Sequence, residues 1–161
     1  MRELCLVLIA ACGAAPPIPP PPANLASTEL SSFELGIHDP AWRLGGTGKI
    51  EHDAFTFSYC CRGAGSAKRA LPEVAPGGRW ELSIEHVNSE CSSAVHVLLF
   101  THGTTTPIAS EVLDAEARTA GTAHVVFSAP ALPVELRLYA EGGLHCCGTT
   151  TVGSIVLRRS R

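Results

Sequence analysis

Trp80-Glu81-Leu82-Ser83-Ile84-Glu85-His86 puts an apolar side chain at every second position as far as Ile84, and a period of two marks a half-buried β-strand. Successive side chains of a strand point to opposite faces, so Trp80, Leu82 and Ile84 share one surface and Glu81, Ser83 and Glu85 the other. The same alternation recurs outward in both directions. Phe55, Phe57 and Tyr59 alternate with Thr56 and Ser58, and Val134, Leu136 and Leu138 alternate with Glu135, Arg137 and Tyr139. Val95 to Phe100 is apolar on both faces, as in a buried central strand. A last strand is predicted from about Thr150 to Leu157, and Ile108 to Arg118 reads as a strand leading into a loop. Turn signals fall between these runs at Gly45-Gly46, Pro76-Gly77-Gly78, His102-Gly103, Ala120-Gly121 and Gly142-Gly143. About seven to nine short strands separated in this way predict an all-β fold, an antiparallel sandwich or barrel.

The N-terminal end has a different character. Residues 4–11 form one apolar run after Met1-Arg2-Glu3, the layout of an export signal, and eight residues fall far short of the roughly 20 that span a bilayer as a helix. Ile9-Ala10-Ala11-Cys12 resembles the lipobox of bacterial lipoproteins, which implies cleavage before Cys12 and acylation of its thiol. The alternative, a standard secretory cut after Ala15, would place Pro16 directly after the scissile bond. Several acyl chains, as that resemblance implies, give stable anchoring where one chain is marginal. Gly13 after the cysteine resembles outer-membrane sorting, so the expected location is the bacterial cell envelope. Six prolines lie between Pro16 and Pro22; proline fixes φ and lacks a backbone donor, so this stretch reads as an extended polyproline II stalk. The chain thus divides into a signal at 1–11, a lipidated cysteine and Pro-rich linker at 12–28, and a β-domain at 29–161. A formal net charge of −3 lacks the basic footprint of nucleic-acid binders.

A second resemblance runs through the β-domain. Ser32-Phe33-Glu34-Leu35-Gly36 followed by Trp42 resembles the opening motif of carbohydrate-binding jelly rolls of the galactose-binding-like type. The Trp80 to His86 strand, the pair His124 to Pro130 and Val134 to Tyr139, and the closing Thr151 to Leu157 fall in the same order. The resemblance implies a jelly-roll sandwich with glycan as the ligand class. It also implies a structural calcium ion on Glu34, although Gly153 and Ser154 stand where that family's closing acid is expected.

Sugar sites combine flat aromatic faces with a few orienting polar groups. Phe33, Phe55, Phe57, Trp80, Phe100 and Phe127 lie in apolar registers and read as core, Tyr59 continues the alternation of Phe55 and Phe57, and Trp42 and Tyr139 are the remaining candidates. Tyr139 shares its face with Glu135, Arg137 and Glu141, so Trp42, Glu135, Arg137 and Tyr139 are the candidate ligand residues.

Five of the seven cysteines remain once the signal is removed and Cys12 is acylated: Cys60, Cys61, Cys91, Cys146 and Cys147. In an oxidising compartment they are disulfide candidates, at most two bridges with one thiol left over. Bridging within a doublet is disfavoured because consecutive α-carbons lie about 3.8 Å apart, closer than a normal bridge allows. That favours joining the first doublet to the second. Cysteine and histidine together also keep open a metal site for zinc or Cu(I), with His52, His86 and His145 as companions, but no C-x-x-C spacing aims two sulfurs at one ion. No nucleophile elbow, zincin helix motif or phosphate loop is present, and Glu81 and Glu85 read as solvating carboxylates. The sequence therefore predicts a membrane-anchored, non-catalytic binding module, with glycan as the first expectation. A structural or protein-interaction envelope lipoprotein is the rival, and a Cys/His metal binder the third reading.

Overall fold

The computed structural model describes residues 31–59, 64–89, 95–113, 120–141 and 148–160, and these form strands and turns with no helix among them. The eleven strands are β1 (Ser32–Glu34), β2 (Arg43–Gly46), β3 (Gly48–Glu51), β4 (Ala54–Tyr59), β5 (Gly65–Ala70), β6 (Arg79–Asn88), β7 (Val95–Thr101), β8 (Pro107–Leu113), β9 (Ala120–Ser128), β10 (Val134–Ala140) and β11 (Gly148–Ser160). Two antiparallel sheets face each other. One runs β3-β4-β11-β6-β9, with β1 also on β11, and the other runs β2-β5-β10-β7-β8. This is the predicted antiparallel β-sandwich. The strands beyond the predicted seven to nine include β1, β2 and β3, which at three or four residues are too short to show an alternation.

Alternation is expressed as burial. Along β10, Val134, Leu136, Leu138 and Ala140 are buried, whereas Glu135, Arg137 and Tyr139 face outward. Trp80, Leu82 and Ile84 of β6 pack in the same core with Phe55 and Phe57 of β4 and Val97 and Leu99 of β7. Each such side chain contributes about 1.5–3 kcal/mol by leaving water, before the entropy cost of ordering the chain. β11 ties the first sheet together: Thr150 to Ser160 pair with β6 on one edge, while Gly148 to Val152 pair with β4 and Val156 to Arg158 with β1 on the other. A register shift between Val152 and Ser154 leaves Gly153 outside the ladder as a bulge.

Turn chemistry follows the sequence at most of the predicted points. Gly46 has φ +60°, and a Cβ there would fall 1.9 Å from the Ala64 carbonyl oxygen, so only glycine fits. Between β3 and β4, His52 and Asp53 both take positive φ (50° and 58°), the geometry of a tight two-residue hairpin. One predicted turn is corrected. Ala120-Gly121 opens β9, because Gly121 pairs with His86 in the ladder. Ile108 to Leu113 is strand as expected, within β8, and the predicted loop after it, like Gly142-Gly143, lies outside the described residues.

Candidate binding face

The outward side of the β2-β5-β10-β7-β8 sheet is assembled by register. In one row across the strands stand Gly45, Ser66, Tyr139, His96 and Val112, each opposite the next. Beside it runs a second row of Arg43, Lys68, Arg137, Leu98 and Ser110. A third holds Ala70, Glu135 and Phe100. Neighbouring strands lie about 4.8 Å apart, so each row is a line of adjacent side chains.

Tyr139 is 37% exposed, so its ring is open to a ligand. Arg137 is held from two sides. Its Nε donates to Glu135 Oε1, and its guanidinium carbon lies 4.3 Å from the centroid of the Phe100 ring. A cation over an aromatic face is attracted by the ring quadrupole, and the contact covers Phe100, which is only 6% exposed. Phe100 is thus buried, but on the outer face and not between the sheets, a correction to its core assignment. The irregularity between Leu99 and Phe100 in the β7–β8 register accompanies this.

Glu135, Arg137 and Tyr139 therefore occupy one surface, as their spacing predicts. Trp42 does not join them. It is 6% exposed, meets Phe55 edge-on at 4.7 Å between centroids, and donates from Nε1 to the Gly36 carbonyl at 3.0 Å. With its ring in the core and its N–H satisfied, Trp42 has no face for a ligand and leaves the candidate set. Ser66, Lys68, His96 and Arg43 enter it instead. Alternation could have flagged Ser66 and Lys68 as outward, but only strand pairing sets them beside Tyr139.

The opposite sheet carries other polar groups. His124 Nδ1 lies 2.8 Å from Glu81 Oε1 and 3.2 Å from Ser83 Oγ. A catalytic serine–histidine–acid relay needs the two partners on different ring nitrogens, and here both approach the same one. Ala54, Glu85, Val87, Ala120, Thr122 and Thr151 line an open hollow of about 420 Å³ on this sheet. Glu34, His38, Asp53 and Ser154 line another of about 260 Å³, where Asp53 Oδ1 bonds His38 Nε2 at 2.8 Å. Among the described residues no three or more His, Cys, Asp or Glu side chains gather into one metal-holding group, and Glu34, on which the family resemblance implies calcium, shares this hollow with Asp53 and Ser154. Cys12 and the disulfide candidates Cys60, Cys61, Cys91, Cys146 and Cys147 lie outside the described residues, as does His145 of the expected metal set.

No protein-family model matches the chain, and no curated protein matches it. Solved structures do. A structure described as "CBM4 structure and function" superposes with TM-score 0.59 at 13% identity, covering 74% of this chain and 95% of that one. The xylan-binding module CBM15 gives TM-score 0.57 at 14% identity over 82% and 98% of the two chains. A CBM61 module in complex with β-1,4-galactotriose gives 0.57 at 12% identity over 78% and 92%. At such identities the likeness is one of fold, and the fold is the β-sandwich found in carbohydrate-binding modules.

Proposed function

We propose that the chain is a non-catalytic glycan-binding module that binds its ligand on the outer face of the β2-β5-β10-β7-β8 sheet. The observation that carries the reading is Tyr139, an exposed ring in line with Ser66 and His96 and next to Arg137. A ring stacks on the apolar face of a pyranose while hydroxyl, imidazole and guanidinium groups orient its hydroxyls. Structures of the same fold include a xylan-binding module and one holding β-1,4-galactotriose, which agrees with this ligand class. Ile9 to Cys12 and the proline stalk support the rest of the reading: a lipid anchor and spacer that present the module at a bacterial envelope membrane, the outer membrane by the Gly13 rule.

Native electrophoresis of the full chain through gels containing soluble xylan or β-1,4-galactan, backed by a glycan array, tests the site. The wild type is retarded or captured by at least one glycan, and Tyr139→Ala lowers the affinity at least tenfold with an unchanged melting temperature. Capture of no glycan would remove the function, and retardation equal in Tyr139→Ala would remove the face.

A second reading has its own observation. Ile108 and Val112 on edge strand β8 and Val126 on edge strand β9 are 40–45% exposed. Apolar residues on unpaired edges suit an envelope protein partner, and co-purification of such a protein without glycan binding would favour that reading.

A further inference from the structure

Arg43, Lys68 and Arg137 stand directly opposite one another on β2, β5 and β10. Like charges in facing positions of a sheet repel, so the arrangement works against the fold that carries it. It occurs in a chain whose net charge is −3, with carboxylates available to separate the cations. Instead, among the described residues, one carboxylate is bonded to any of them. Glu135 pairs with Arg137, and the pair is packed so that the guanidinium lies over the Phe100 ring. Arg43 is oriented by an Nη1 hydrogen bond to the Pro40 carbonyl at 2.9 Å, which fixes its direction without neutralising it. Lys68 is exposed and has no carboxylate partner among the described residues. Glu141, past the end of β10, is the other acid of this parity on the strand and has an interaction of its own.

We propose that the glycan bound by this face carries acid groups: a uronic-acid saccharide whose carboxylates lie along the Arg43–Lys68–Arg137 row while one ring stacks on Tyr139. The inference rests on the glycan reading above and narrows it. A guanidinium accepts a carboxylate through two parallel N–H···O bonds, and an ammonium adds a mobile point charge, so two oriented arginines flanking a lysine make a track for spaced carboxylates. The adjoining row of Ser66, Tyr139 and His96 supplies the stacking and hydroxyl contacts that a track of charge alone would lack. A hydroxyl-only glycan would leave the facing cations unbalanced.

The test is calorimetric titration of the full chain with trimers of galacturonate, glucuronate and mannuronate, each beside its methyl ester, and with β-1,4-galactotriose. The esters keep the sugar and remove the charge. At least one acid trimer is expected to bind ten times more tightly than its ester, with an affinity that falls as salt rises. Lys68→Gln should remove most of that difference between acid and ester, and Lys68→Arg should restore it. Neutral sugars or esters that bind as well as the acids, with dependence on Tyr139, would overturn the acidic ligand and leave the glycan reading intact. No binding of any sugar would overturn both. A preference for acids that ignores Lys68→Gln would overturn the cation row as its cause.

Discussion

His86 illustrates a residue whose cost is visible only in three dimensions. It points inward from β6, is 5% exposed, and has both ring nitrogens buried without a hydrogen-bond partner among the described residues. An unmet buried donor or acceptor costs about 1–3 kcal/mol, whereas an apolar side chain of similar size costs nothing of that kind. Gly121, opposite it on β9, leaves room beside the ring, since a Cβ there would lie 3.4 Å from His86 Cε1. His86→Leu should therefore raise the unfolding free energy by about 1 kcal/mol, read from urea denaturation with an unchanged m-value. A loss of stability would mean that the ring nitrogens have partners in solution. Trp42 and Phe100 show the same limit of a one-dimensional reading. Trp42 lies in an irregular segment with no period to assign its side, and Phe100 keeps the alternation begun at Val95, which turns it outward, and is buried there under Arg137.

Elements are joined by a buried ion cluster that the sequence does not announce. Arg69 of β5 is 7% exposed, and its Nη2 bonds Glu73 at 2.6 Å and Asp39 at 3.1 Å. Asp39 also accepts from the Ala41 backbone N–H, so the cluster fixes the segment between β1 and β2 and the one after β5. Removing one partner of a buried pair leaves the others desolvated and uncompensated, which costs about 3–5 kcal/mol when burial is complete. Asp39 keeps a third of its side-chain exposure, so Arg69→Met should cost less, about 2 kcal/mol, measurable as a lower denaturation midpoint at unchanged ligand affinity. A neutral outcome would mean that the orphaned Nε and Nη1 of Arg69 already cancel the gain. Strands, by contrast, were legible wherever five or more residues alternated, as in β4, β6 and β10. The shortest strands, β1 to β3, and the glycine at the start of β9 were not, because pairing defines them and pairing is non-local.

At the scale of the whole molecule the two outer faces differ in chemistry. The β2-β5-β10-β7-β8 face offers an exposed ring, an imidazole and three cations in two adjoining rows, whereas the opposite sheet offers Glu81, Glu85, His124 and open hollows. The half of the site on β10 was readable, since Glu135, Arg137 and Tyr139 lie two apart on one strand. The other half comes from residues 43 to 98, brought in by register alone. Which face binds is therefore the central question, and backbone amide shifts of the isotope-labelled full chain, titrated with the uronate trimers and with β-1,4-galactotriose, answer it directly. Perturbations concentrated at Ser66, Lys68, His96, Arg137 and Tyr139 are the predicted result; perturbations at Ala54, Glu85, Val87 and Thr122, or none with any sugar, would contradict it.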